Sequence, residues 1–170
     1  MDSDIPPGDS VQSIINTLQD VLAGKARELI RRCASEGILI KIVSAHRTFG
    51  EQARLYEQGR TTPGPKVTNA RPGKSWHNYR RAFDVAFITH GHLSWDGPFA
   101  RVAKIAKSLG LEWGGDFKSF PDYAHFQYRE GMTLLQARQA HDRQAQAMRE
   151  ARKSEARNLR DRLPPTERGR

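Results

Sequence analysis

Apolar side chains at Val11, Ile14, Ile15, Leu18, Val21, Leu22, Ala26, Leu29, Ile30 and Cys33 recur at the period of one helix face. The spacing predicts a single helix from Val11, capped by Asp9 or Ser10 and ended by Gly37. The pattern then changes. Ile38 to Ala45 (ILIKIVSA) is a nearly continuous β-branched run and predicts a buried strand. A short helix is predicted from about Thr48, stopped by Gly59. Pro63, Gly64, Pro65, Pro72 and Gly73 then remove any period, so residues 60–74 read as a long ordered loop or lid.

Strand patterning returns at Ala82–Ile88, turns through THGH (Thr89–His92) and comes back near Leu93–Trp95. Asp96, Gly97 and Pro98 open a helix with Phe99, Val102, Ile105, Ala106 and Leu109 on one face and Gly110 at its end. Leu111–Trp113 reads as a brief strand, GGDFKSFPD as a loop, and Tyr123–Tyr128 as a closing strand. Helices alternating with short strands, without a regular βαβ rhythm, indicate an α+β domain. After Gly131 the composition shifts. Arg138 to Arg170 holds ten Lys or Arg against five acids, with many Ala and Gln and few large apolar residues. This predicts one long, mostly solvated basic helix from Met132 to about Leu163, ended by Pro164 and Pro165. The chain thus divides into a flexible N-terminus (1–10), a domain that carries the chemistry (11–131) and a basic helical extension (132–170).

A length of 170 residues suits one domain and an appendage. The formal charge of +9 favours an anionic partner (nucleic acid, an anionic membrane surface or an acidic polymer), with plain solubility as the alternative. No Cys/His finger, RNA-binding aromatic signature or basic zipper is present, so no specific nucleic acid is expected. No apolar run reaches the length of a membrane-spanning helix. MDSDIPPGDS is acidic and lacks the basic and apolar regions of a Sec signal peptide, so none is expected. The lone cysteine, Cys33, excludes an internal disulfide and falls on a helix's apolar stripe, where it reads as core.

Six histidines could carry chemistry: His46, His77, His90, His92, His125 and His141. SWHNYRRAFDVAF places His77 just before a strand and Asp84 within it; FPDYAHFQY places His125 on a later strand, three residues after Asp122. A hydrolytic zinc site takes three His or carboxylate ligands and keeps one position for water. Two neutral imidazoles and one carboxylate leave the ion positive enough to lower its water's pKa to about 7. A second carboxylate, close but not ligating, must move the proton. Asp84 lies among Ala82, Phe83, Val85, Ala86 and Phe87, where a carboxylate is costly unless paired or metal-bound.

Spacing alone leaves alternatives open. His77 fits an ordinary loop histidine, His125 a satisfied core histidine, and Asp122 a turn cap after Pro121. His90 and His92 have a His-x-His spacing but flank Gly91 in a turn, where solvation is the simpler reading. His46 stands beside Arg47 and could line a cleft; His141 belongs to the polar helix. Glu112 and Asp116 are competing acids, Asp116 the better substitute base. Trp76, Tyr79 and Trp113 read as cleft wall or core.

SWHNYRRAFD resembles the Ser-x-His-(six residues)-Asp motif of the VanY-like zinc D,D-carboxypeptidase and L-alanyl-D-glutamate endopeptidase family (peptidase family M15), to which many phage endolysins belong. DYAH matches the companion acid-x-x-His motif. SAHRTFGEQARLYEQGR, VTNARPGKSWHNY and GLEWGGDFKSFPDYAHFQ resemble the family in the same order, so the likeness spans about Ile38 to Tyr128 and excludes the tail. The resemblance implies a small antiparallel sheet flanked by helices, as in hedgehog and D-Ala-D-Ala peptidases. It also implies that His77, Asp84 and His125 bind Zn²⁺ and that Asp122 is general base and acid. Arg47 would hold substrate and stabilise the oxyanion, and Ser75 would support the site by a hydrogen bond behind the ligands. Two positions depart from the family. Arg80 stands where a small residue, often Gly, is usual, and would cost about 1 kcal/mol or more if φ is positive. Asp122 stands where some relatives carry Glu.

The function expected from this resemblance is that of a phage endolysin hydrolysing the L-Ala–D-Glu bond of peptidoglycan stem peptides. Alternatives are a D-alanyl-D-alanine carboxypeptidase, a non-catalytic wall-binding module on the same fold, or a nucleic-acid binder using the tail. Stem-peptide carboxylates would pair with Arg47 and with Lys74, Arg80 or Arg81. The basic helix would contact the anionic wall or outer membrane, or merely remain solvated. A monomer is expected, made in the host cytoplasm and reaching the periplasmic wall through a holin pore.

Overall fold

The computed structural model describes residues 11–162. The expected flexible lead, the Asp9 or Ser10 cap and the Pro164–Pro165 stop lie outside them. Two compact units divide the chain, Met1–Gly131 and Met132–Arg170.

In the first unit the single helix predicted from Val11 is two, α1 (Val11–Asn16) and α2 (Asp20–Ser35). Apolar spacing runs straight through the break because Leu18 is itself buried in the core. A local bond and several made from afar interrupt it. The Thr17 hydroxyl donates to Ile14 O (2.7 Å) and accepts from the His46 N–H (3.2 Å). The Gln19 N–H donates to Arg80 O at 3.0 Å. The Arg80 guanidinium takes the carbonyls of Asn16, Thr17 and Leu18, which a continuous helix would have used internally. α2 buries Leu22, Ala23, Ala26, Leu29 and Cys33 and ends at Gly37, whose φ of 74° lets the chain turn into the sheet.

The sheet comprises β1 (Ile40–Ser44), β2 (Ala82–Thr89), β3 (His92–Ser94), β4 (Glu112–Trp113) and β5 (His125–Gln127). Its order is β1-β2-β5-β4, with β3 also on β2, and every pairing is antiparallel. The expected small antiparallel sheet flanked by helices is therefore present. The His90–Gly91 turn has positive φ at both residues (51° and 80°), the two-residue hairpin geometry. β5 is shorter than the predicted Tyr123–Tyr128 strand, because residues before His125 leave the ladder to shape the site.

Successive β2 side chains face opposite ways. Phe83, Val85 and Phe87 join the core with Leu29, Cys33, Val102 and Phe126. Phe83 stacks on Phe126 with ring centroids 5.9 Å apart. The other face carries Ala82, Asp84 and Ala86, small apart from the carboxylate, and it leaves room for a cleft. α3 (Phe49–Glu57) begins with a capping box, Thr48 and Glu51 each satisfying the other's N–H. α4 (Phe99–Ser108) covers the core face.

The second unit contains α5 (Leu134–Arg162), which begins after a Thr133–Gln136 capping pair and not at Met132. It is exposed along nearly its whole length, as its composition predicts. No helix among the described residues is long and apolar enough to cross a membrane.

Candidate metal centre and active-site cavity

Antiparallel pairing places Asp84 of β2 directly opposite His125 of β5. His77 arrives from a 3-10 turn, Trp76–Tyr79, just before β2. Ser75 starts that turn by accepting the His77 N–H at 3.4 Å, and Arg80 ends it at φ 61°. His77 Nε2 lies 3.2 Å from Asp84 Oδ1 and 3.1 Å from His125 Nδ1, which is itself 3.2 Å from Asp84 Oδ1. Among the described residues this is the one cluster of three His, Cys, Asp or Glu side chains so arranged.

The outer ring nitrogens decide what the inner ones can do. His77 Nδ1 is 2.6 Å from the Ala45 carbonyl and His125 Nε2 is 3.0 Å from Gln127 Oε1. Both oxygens only accept, so both rings donate outward and turn lone pairs inward. With both rings neutral, two nitrogen lone pairs and a carboxylate oxygen therefore converge with no proton between them. Burial works against protonating His125, but the hydrogen bond and charge of Asp84 outweigh it and push its pKa up: the cluster is short of positive charge. Burial likewise resists ionisation of Asp84, yet its contacts with His77 and His125 hold its carboxyl well below the usual range. A tetrahedral ion with bonds of about 2.0–2.1 Å separates its ligand atoms by about 3.3 Å. The three atoms are spaced to fit it.

Arg47 holds the other side of Asp84. Its guanidinium donates to Asp84 Oδ2 and Ser44 Oγ, both at 3.1 Å, and to Gln52 Oε1 at 3.1 Å. Asp84 thus keeps one oxygen for the cluster. A register shift between Ile42 and Ser44 in β1 lies beside this contact and brings Ser44 opposite Asp84. Asp122 is fixed through its backbone, donating to Gly114 O (2.9 Å) and accepting from the His125 N–H (3.2 Å). Burial and the nearby Asp84 charge push its carboxyl pKa up. All six residues carried over from the motifs (Arg47, Ser75, His77, Asp84, Asp122 and His125) line one cavity of about 480 Å³. Val67 to Ala70 and Lys74 of the 60–74 segment wall one part of it, and Phe117, Ser119 and Phe120 another.

A family model described as D-alanyl-D-alanine carboxypeptidase matches residues 68–128. The chain is 38% identical over 135 residues to the peptidoglycan L-alanyl-D-glutamate endopeptidase CwlK of Bacillus subtilis, covering 73% of this chain and 77% of that protein. The chain belongs to peptidase family M15. It is also 32% identical over 119 residues to the L-alanyl-D-glutamate peptidase of Listeria phage A118, covering 67% of this chain but only 39% of that protein. Among solved structures, the fold matches the L-Ala D-Glu endopeptidase ChiX of Serratia marcescens at a TM-score of 0.53 and 22% identity. That match covers 69% of this chain and 84% of ChiX. It also matches the D,D-pentapeptidase VanY in complex with Zn(II) at a TM-score of 0.53 and 14% identity, over 72% of this chain and 76% of VanY.

Most of the other candidates in this M15 peptidase fall outside the cavity. Asp116 does not line the cavity and is ion-paired with Lys107 at 2.7 Å, away from the cluster. Glu112 receives hydrogen bonds from Gln127 and Arg129. His46 does not line the cavity, His90 and His92 sit in or beside the exposed hairpin turn, and His141 lies on α5. Trp76 is in the cavity wall, Tyr79 is buried with its hydroxyl on Gly73 O (2.9 Å), and Trp113 donates to Tyr123 O (2.8 Å).

The basic candidates separate in the same way. Arg81 pairs with Glu130 at 2.9 Å and Arg80 is committed to the α1–α2 link, so Lys74 is the additional cation at the cavity. Position 80 does take the left-handed conformation that favours Gly, and the carbonyls gained by its guanidinium offset that strain.

Sequence reasoning missed Gln52, Asn78, Gly114 and Gln127. Gln52 is fully buried and ties Arg47 to Ala70 O (2.7 Å); Asn78 donates to Arg47 O (2.8 Å) and accepts from the Gly73 N–H (3.0 Å). A side chain at Gly114 would meet Asp122 O at 2.4 Å. Nothing in composition marks a polar amide as buried; only the adjacent glycines of EWGGD hinted at close approach.

Proposed function

We propose that this peptidase hydrolyses the L-Ala–D-Glu bond of peptidoglycan stem peptides, with Zn²⁺ held by His77, Asp84 and His125. The convergence of three proton-free electron pairs at the floor of a cavity also lined by Asp122 carries the reading. Bound there, zinc supplies Lewis acidity and lowers the pKa of water. The protein supplies the rest. Asp122 takes the proton from the attacking water and returns it to the departing amine, and its raised pKa suits it to both tasks. Arg47 fixes Asp84 and brings positive charge to the cavity where the oxyanion develops. Lys74 pairs with a stem-peptide carboxylate.

The bond is chosen on the likeness to CwlK and the phage peptidase. The description of the matching family model favours a second reading, D-alanyl-D-alanine carboxypeptidase. Incubation with purified wall followed by mass spectrometry of the new termini separates them: new N-terminal D-Glu supports the first, released D-Ala the second. Chelator must abolish cleavage and zinc restore it. Persistent cleavage without metal overturns the zinc reading, and absence of any cleavage leaves a wall-binding module.

The likeness to a phage peptidase supports an endolysin made in the host cytoplasm and released to the wall through a holin pore. One chain supplies every site residue, which supports action as a monomer. α5 contacts the anionic wall or outer membrane through its basic side chains. Deleting residues 138–170 then weakens lysis of whole cells and spares cleavage of isolated wall; equal loss in both assays contradicts that role.

A further inference from the structure

Glu112 and Gln127 face each other in register across the β4–β5 pair, and His125 precedes Gln127 by two residues on β5. Their side chains form a line leading away from the cluster. His125 Nε2 lies 3.0 Å from Gln127 Oε1, Gln127 Nε2 lies 3.0 Å from Glu112 Oε2, and Arg129 Nε lies 2.6 Å from Glu112 Oε1. His125 and Gln127 are both buried, so no water substitutes freely for these partners.

An amide presents the same shape either way round, and a half-turn exchanges its oxygen and nitrogen. His125 therefore cannot choose which end of Gln127 it meets, since an imidazole nitrogen can donate or accept. Glu112 can choose. An ionised carboxylate only accepts, and the Arg129 guanidinium donates to its other oxygen. Gln127 must then turn its NH₂ to Glu112 and its oxygen to His125. That oxygen only accepts, so the single proton of a neutral His125 ring belongs on Nε2. The lone pair is left on Nδ1, the atom that faces His77 Nε2 and Asp84 Oδ1.

We propose that Glu112 is a positioning residue that acts through Gln127 to set the tautomer of His125, and so provides the third electron pair of the metal cluster. The consequence for zinc rests on the metal-centre reading above; the tautomer itself does not.

The test uses the full-length chain as wild type, as E112Q and as the exchange E112Q/Q127E. Zinc retention is measured against a competing chelator. The ring ¹⁵N spectrum of His125 is recorded after zinc removal, at a pH above the imidazole range. The wild type shows one tautomer, protonated at Nε2. In E112Q the new amide offers either end, Gln127 is free to turn, a second tautomer appears and zinc affinity falls about tenfold. The exchange places an acceptor-only carboxylate against His125 Nε2–H and restores both the single tautomer and most of the affinity.

A single Nε2–H tautomer in E112Q overturns the proposal, as does an exchange no better than E112Q, since the loss then comes from damaged packing. Failure of the wild type to retain zinc counts against the metal centre instead, and the spectra still decide the role of Glu112.

Discussion

The sheet side and the loop side of the cavity are built by different means. On the sheet side, β2–β5 register sets Asp84 against His125, and each imidazole is held from behind by a carbonyl or amide oxygen. On the loop side, residues 60–74 form no ladder and carry Gly and Pro. They are tied by scattered bonds, from Gln52 to Ala70 O, from Tyr79 to Gly73 O and from the Gly73 N–H to Asn78. The sheet gives the tolerance of a few tenths of an ångström that coordination demands, whereas the loop gives a wall whose residues can change without disturbing it. On the proposed function, chemistry belongs to the first and substrate choice to the second.

Substitutions on each side should therefore fail differently. His77→Ala removes a proposed ligand from the rigid side; zinc content by elemental analysis should collapse, and activity should fall about a thousandfold or more, the scale of several kcal/mol of lost charge stabilisation. Asp122→Asn should keep zinc and fold while lowering kcat by about 10²–10⁴. Its pH profile carries the sign. In the proposed mechanism Asp122 works as a base when ionised, and its pKa is raised, so wild-type activity should fall on acidification at a higher pH than an ordinary carboxylate sets. That limb should vanish in Asp122→Asn; retention of the limb would assign the base elsewhere.

Lys74→Gln acts on the loop side. It should raise KM for stem peptide about tenfold and leave kcat and zinc content unchanged, the scale of one partly solvated charged hydrogen bond. It should have little effect on a peptide whose carboxylates are amidated. A matching fall in kcat would show that the loop side does more than choose substrate.

Thr48→Ala should have the smallest effect, costing about 1 kcal/mol through loss of the α3 cap. The Thr48 N–H and hydroxyl hold the Glu51 carboxyl below its ordinary range. Their stabilisation is present above the unfolded carboxylate pKa and lost as pH falls through the lowered folded value. Thermal melts on acidification should show this slope shrinking in the variant. Because α3 carries Gln52, proteolysis should then reveal loosening at the loop before any loss of zinc.

The motifs brought Arg47, Ser75, His77, Asp84, Asp122 and His125 to notice in the sequence, and all six line the cavity. Local patterning also reported most elements, because apolar period and Gly stops act over a few residues. It failed between α1 and α2, where the break comes from Arg80, more than sixty positions away.

What the sequence alone determined was the repertoire: which segments favour helix or strand, and which side chains could take up a cation or a proton. Only the tertiary structure decided which nitrogen of each imidazole points inward. It also bound Arg80 and Arg81 to other work and left Lys74 at the cavity. Those outcomes rest on hydrogen bonds between residues distant in the chain, Ala45 to His77 and Glu112 through Gln127 to His125. A donor's direction is a property of its partner's position, and position exists only once the chain has folded.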